Sequence, residues 1–359
     1  MGSSKKSIHQ TYKLYGISVY KNAGSGNDKL YGYAAKSHLL GGSGNDTVYG
    51  YGAWNKLDGG AGNDLIKAWG ASNYLYGGSG NDRMYGYGAY NSMSGGSGND
   101  SMYGYGAKNK MWGGSGHDYM KGTGAYNYMS GGDHNDRIYG YGAHNDMYGG
   151  SGNDYLEGLG AFNNMRGGSG NDTIKGRGAL NNIYGESGND TIEAIGGVNN
   201  VHGGTGDDTI KGIGGTNVLR GNEGNDTITA VGGVNTVFGD SGDDYMVSAG
   251  GVNVMFGGTG NDKMIASALL ATSQSGEAGD DTMVAVSNAN LQWGGDGNDT
   301  MVGIGNLNIQ SGGTGDDLLL AAGQTNVQLG EDGKDKMFAV GSLNVQVGGA
   351  GEDLAVADG

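Results

Sequence analysis

Apolar residues return along this chain at two alternating places. One set falls at Leu30, Val48, Ile66, Met84, Met102, Met120, Ile138, Leu156, Ile174 and Ile192 and continues to Met337. The second falls midway between, at Leu57, Leu75, Met93, Met111, Met129, Met147, Met165, Ile183 and Val201. Each set has a period of eighteen residues, and the stretches between are polar and rich in glycine. Side chains alternate across a strand, so an isolated apolar residue with polar neighbours marks a short strand with one inward side chain. The pattern predicts two three-residue strands per unit, centred on these residues. Strands this short bury nothing alone. Stacking each unit on the next in a parallel coil buries two apolar ladders and pairs every strand with its copies. At about 4.8 Å per coil, nineteen coils would make a rod of roughly 90 Å.

The unit is seen most clearly in Gly77–Ser94, GGSGNDRMY followed by GYGAYNSMS. Positions are numbered here from the first Gly of the hexapeptide, which puts the Asp at position 6 and the apolar residues at 8 and 17. That Asp recurs at Asp28, Asp46, Asp64, Asp82, Asp100, Asp118, Asp136, Asp154, Asp172, Asp190, Asp208, Asp226, Asp244, Asp262, Asp281, Asp299, Asp317, Asp335 and Asp353. The step is eighteen except between Asp262 and Asp281, where it is nineteen. Residues 1–22 precede the clean repeat, and Leu14–Asn22 has strand-like composition, so this segment reads as an opening strand or N-terminal cap. Residues 23–359 read as one continuous solenoid.

Composition narrows the class. Glycine supplies 82 residues, with no Pro and no Cys. Collagen needs Gly at every third residue with abundant Pro, and a flexible linker would lack the fixed apolar positions. The formal charge of −16 argues against a nucleic-acid partner. No apolar run is long enough for a transmembrane helix. Met1–Tyr15 has no apolar stretch of the kind a secretory signal carries. The absence of Cys leaves the redox compartment open.

The hexapeptide and its continuation, GGxGxDxUx, resemble the RTX, or hemolysin-type, calcium-binding repeat over about residues 23–359. The resemblance implies an all-β, right-handed parallel β-roll or β-solenoid with Ca²⁺ between equivalent loops of consecutive coils. The position-6 aspartates named above would supply the carboxylates, and loop residues such as Gly77, Gly78, Gly80, Gly95, Gly96 and Gly98 would shape the backbone. The residue chemistry agrees, because Ca²⁺ takes six to eight hard oxygens from carboxylates and carbonyls, and Gly turns carbonyls inward at positive φ. The alternative is that each Asp merely caps its turn. Stacked carboxylates about 4.8 Å apart would then repel with nothing between them. Eighteen ions would carry the formal charge from −16 to about +20; either some sites are weak or the loaded rod attracts anionic polymers. His134 at position 4, Lys334 and Glu352 at position 5, and the extra residue near Ala266–Ser275 mark the expected weak places.

The second half of the unit departs from the family. It reads GxGAxNxUx, with Asn at 55, 73, 91, 109, 127, 145, 163, 181, 199, 217, 235, 253, 290, 308, 326 and 344. Calcium is therefore expected along one edge only. The Asn row either forms an amide ladder or simply favours turns. The outward positions 9 and 11 carry tyrosines in the N-terminal half (Tyr31, Tyr33, Tyr49, Tyr51, Tyr85, Tyr87, Tyr103, Tyr105, Tyr139 and Tyr141), either stabilising neighbouring strands or forming an adhesive or carbohydrate-stacking face. Toward the C-terminus position 17 becomes Gln274, Gln292, Gln310, Gln328 and Gln346, with apolar residues beside it. Either the strand has slipped by one residue, or Gln forms an internal ladder beneath an exposed apolar surface suited to association. The favoured expectation is the internal ladder.

No G-x-S-x-G, H-E-x-x-H or P-loop is present, and the six histidines are scattered, so no enzyme is expected. The expected function is a calcium-binding structural solenoid of a surface layer, matrix, fibre or adhesin that folds on binding Ca²⁺. By resemblance it would be a secreted or cell-surface protein of bacterial type, exported by a type I system. Its expected partners are other copies, end to end or through the apolar C-terminal half, and an anionic polysaccharide or cell surface. The unit count ends mid-coil at Gly359, which prompts the end-to-end expectation. An ice-binding solenoid, a carbohydrate-binding module and the repeat region of a larger protein are the alternatives.

Overall fold

The structure is a computed structural model describing residues 9–359; the first eight residues of the proposed N-terminal cap lie outside the described residues. Two compact units divide the chain after Gly178. No helix occurs among the described residues. Each unit is a parallel β-solenoid with one coil per eighteen residues.

In the first unit, a representative coil holds strands Thr47–Tyr51 and Trp54–Ala61. Both pair in parallel with their copies one coil on, so that Val48 lies beside Ile66 and Leu57 beside Leu75. Positions 8 and 17 fill the interior, with Met84, Met93, Met102, Met111, Met120 and Met129 fully buried. Unbranched thioethers suit a core whose two walls repeat so regularly, because they adapt to small offsets between them.

The strands are longer than the three residues expected. The second one runs on through positions 1–3, where Gly60 and Ala61 still pair with Gly78 and Ser79 although Gly60 sits at φ 103°. In the second unit several coils form one strand of fifteen residues, such as Thr191–Thr205 and Thr209–Glu223. There the second edge reads Gly–Gly and keeps its ladder, with Gly196 beside Gly214 and Val198 beside Thr216. The N-terminal segment is already in phase, since Thr11–Ser25 pairs with Lys29–Ser43 at the same offset of eighteen.

The extra residue does not disturb the Asp edge, contrary to expectation. The register shifts between Gly250 and Val252, which pair with Ala268 and Ala271. Leu269 and Leu270 therefore bulge on the opposite edge and are exposed. Asp262 N–H still donates to Asp281 Oδ1 at 2.7 Å. A bulge fits where only a turn must be lengthened, and not where a loop must repeat atom for atom.

The C-terminal glutamines lie inside. Gln274, Gln292, Gln310 and Gln328 are buried, and each Nε2 from Gln292 onward donates to the Oε1 of the Gln one coil earlier at 2.7–2.9 Å. The same amides reach carbonyls of the opposite strand, including Val302, Leu320 and Phe338. Buried amides are tolerated because both ends of each are satisfied. The strand has not slipped, and Trp293, Val345 and Val347 remain outside and exposed.

Candidate metal centre

The Asp row is more deeply buried than a loop carboxylate would be. From Asp28 to Asp335 these side chains are only 1–3% exposed. Strand alternation is the cause. Position 6 shares the parity of positions 8 and 10, so the Asp points inward at the edge of the interior. One oxygen, Oδ1, accepts the backbone N–H of the preceding coil's Asp. Asp28 donates to Asp46 at 2.6 Å, Asp82 to Asp100 at 2.7 Å and Asp136 to Asp154 at 2.7 Å. The other, Oδ2, is buried without a hydrogen-bond partner from Asp28 to Asp154 and again from Asp208 to Asp335.

Such atoms are costly unless a cation or proton meets them. Burial raises the Asp pKa from 3.8 to about 7 in Asp64, Asp82 and Asp100, to about 6 in Asp118 and to about 8 in Asp136. The N–H bond to Oδ1 works in the opposite direction, and neighbouring aspartates add to the rise for Asp64 and Asp136.

Backbone oxygens converge on the same place. A Cβ added at Gly77 would meet Asp82 Oδ2 at 2.4 Å and the Gly95 carbonyl oxygen at 2.5 Å. One added at Gly95 would meet Asp100 Oδ2 at 2.2 Å and the Gly113 carbonyl oxygen at 2.5 Å. Position 1 is Gly in every coil after Ala23, because the space beside it is shared by a carboxylate and the next coil's carbonyl. Positions 2 and 4 are held at positive φ, 112° and 113° in Gly78 and Gly80, and 113° and 115° in Gly96 and Gly98.

This donor set fits a hard divalent cation. No group of three or more His, Cys, Asp or Glu suited to a metal exists among the described residues. An ion on this edge must take most of its ligands from carbonyls, with one carboxylate from each flanking coil, as Ca²⁺ does. Successive aspartates and the glycines at positions 1, 2 and 4 would hold it. Its chemistry there would be counter-charge and cross-linking of coils.

The places expected to be weak do not break the row. His134 adopts φ 76°, yet Asp118 N–H still donates to Asp136 Oδ1 at 2.7 Å. Lys334 N–H donates to Asp316 Oδ1 at 2.9 Å, and Asp335 N–H reaches Asp353 Oδ1 at 3.1 Å. The repeat phase also reaches back further than the sequence suggested. Gln10 N–H donates to Asp28 Oδ1 at 2.6 Å, and Asn27 N–H donates to His9 Nδ1 at 3.0 Å. His9 and Gln10 therefore stand where later coils carry Asn and Asp; their side chains hide the motif.

The second edge is an amide ladder. Asn55 Nδ2 donates to Asn73 Oδ1 at 2.9 Å, Asn127 to Asn145 at 2.8 Å and Asn326 to Asn344 at 2.7 Å. The tyrosine stripe also satisfies itself. Tyr15, Tyr33, Tyr51, Trp69, Tyr87 and Tyr105 form one stack with centroids 4.7–5.4 Å apart and planes within 13°. Ring faces that cover one another leave only edges and hydroxyls outside, so the stack supports strand pairing.

The family model of the RTX calcium-binding nonapeptide repeat (4 copies) matches residues 22–48, 38–66, 70–93, 85–120, 122–156, 157–192, 193–228, 229–264 and 275–303. No curated protein matches the sequence. These matched segments take in well over half of the sequence and contain the buried Asp row and its glycine cradle, and the chain belongs to the RTX calcium-binding nonapeptide repeat family.

Proposed function

We propose that the protein is an extracellular structural solenoid that folds when Ca²⁺ occupies its Asp edge, and that it has no catalytic role. The observation that carries this is the line of buried carboxylates, in which one oxygen lacks a hydrogen-bond partner from Asp28 to Asp154 and again from Asp208 to Asp335. Ordering so many glycines is entropically costly, and metal binding that exists only in the folded state offsets the cost. Sites of about 10⁻⁴–10⁻³ M affinity would leave the chain unfolded where calcium is scarce and folded outside the cell. Circular dichroism at neutral pH should show a β spectrum in millimolar calcium and a disordered one in EDTA; the same β content in both would overturn the switch.

Association with further copies is supported by the outer faces of the second unit. Val286, Trp293, Ile304 and Val340 are all more than 40% exposed, which is unusual for strands that have no other covering. Light scattering in calcium should show oligomers that Trp293→Lys reduces. A monomer at all concentrations would remove this part of the proposal.

A further inference from the structure

The outer side of the Asp edge carries a different feature in the first unit. Arg137, at position 7, is flanked by Tyr119 on the preceding coil and Tyr155 on the following one. Tyr139 completes a zigzag with them, its ring centroid 5.4 Å from Tyr119 and 5.5 Å from Tyr155. Beside Arg137 runs the position-5 row. Asn135 N–H donates to His117 Nδ1 at 3.1 Å, Asn153 N–H to Asn135 Oδ1 at 2.8 Å, and Asn171 N–H to Asn153 Oδ1 at 2.8 Å. Those acceptors are used within the row. What the row can offer a ligand is the Nδ2 donors of Asn135 and Asn153, and His117 Nε2, which donates or accepts according to whether Nδ1 takes the Asn135 N–H or gives its proton to the Asn135 carbonyl oxygen, each 3.1 Å away.

These side chains line a cavity of about 530 Å³, a size that holds a small ligand. Asp118, Asp136 and Asp154 also border it, but at 1–2% exposure their carboxylates stay on the inner side. The cavity therefore combines one guanidinium, several neutral donors and two aromatic walls. Arg83 takes position 7 three coils earlier, but its neighbours there are Leu65 and Ser101, so it lacks the walls.

We propose that this cavity binds a sugar acid, a pyranose-sized ring bearing one carboxylate. Arg137 grips the carboxylate in the two-point manner that a planar guanidinium allows. Tyr119 and Tyr155 pack against the C–H surface of the ring, the Asn amides donate to its hydroxyls, and His117 Nε2 shares a hydrogen bond with one of them. Calcium on the inner side adds positive charge behind the site, so the loaded protein is the form that binds.

The test is titration of the calcium-loaded full chain with D-glucuronate, followed by NMR, against methyl glucoside, acetate and inorganic phosphate. Glucuronate should bind in the millimolar range and shift the Tyr119, Tyr155 and His117 signals. Arg137→Gln should weaken it by at least about tenfold, and Arg83→Gln should leave it unchanged. Equal binding of methyl glucoside would remove the role of Arg137. Equal binding of acetate or phosphate would reduce the cavity to a simple anion site. Either result, or an Arg137→Gln variant that binds like the parent, overturns the proposal.

Discussion

In EDTA the chain is expected to be unfolded near about pH 7.5 and to regain β structure on acidification to about pH 4.5, the reverse of ordinary acid behaviour. Burial raises Asp226, Asp262, Asp281 and Asp317 to about 7 from 3.8, as it does Asp64, Asp82 and Asp100. A carboxyl raised in the folded state holds more protons folded than unfolded between those two values. Stability is therefore full below about pH 4 and falls as pH rises toward about 7. A rise of that size corresponds to about 4 kcal/mol for each Asp at neutral pH. Even a fraction of it, summed over a dozen coils, exceeds the roughly 5–15 kcal/mol that holds a typical domain together. Calcium supplies the missing positive charge at neutral pH, and protons supply it in acid, where calcium loses its deprotonated ligands. Circular dichroism across pH, in EDTA and in calcium, checks this. A metal-free sample whose β content is flat from about pH 4.5 to 8, or is lost in acid, would contradict it.

The coil, its period and the Asp row were legible because nineteen copies repeat one spacing. Any single strand would have been ambiguous. The depth of the Asp row was legible in principle, since Asp46, Val48 and Gly50 share one parity, but a carboxylate beside glycines reads as a surface turn. His9 and Gln10 were missed because their part in the ladder is played by a backbone N–H and a ring nitrogen. Sequence favours an internal ladder for the Gln row, as the structure has it, but does not fix it, for Gln with apolar neighbours fits either parity. The partners decide it, and the opposite strand's carbonyls supply them. The extra residue was placed only within a ten-residue window. The coil resolves it, because the Asp edge must repeat closely and the Asn edge need not. The cavity at Arg137 was illegible for a simpler reason: its residues lie eighteen apart, and only stacking makes them neighbours.

Asp100→Asn is expected to move the metal-free and calcium-loaded states in opposite directions. Asp100 Oδ1 accepts the Asp82 N–H at 2.7 Å, and an amide oxygen can keep that bond. The change falls on the other atom, where a buried anionic oxygen becomes a neutral NH₂ with the Gly113 carbonyl close by. In EDTA near about pH 5.5 the variant should gain about 1–2 kcal/mol, because no charge has to be buried. In about 10 mM calcium near about pH 7.5 it should lose about 3 kcal/mol for each ion no longer bound, the contribution of an ion present at roughly 100 times a Kd of about 10⁻⁴ M. Up to two ions should be lost, because Asp100 borders the interval on each side. Gly96→Ala is the comparison that separates charge from shape. Gly96 has φ 113°, and its added Cβ would meet the Gly78 carbonyl oxygen at 2.0 Å, a backbone clash that no ion relieves. It should cost about 2–4 kcal/mol in both conditions. Denaturant midpoints and calcium stoichiometry distinguish the two variants. If Asp100→Asn lost stability in both buffers as Gly96→Ala does, the Asp row would be a set of turn caps, and calcium would have to bind elsewhere.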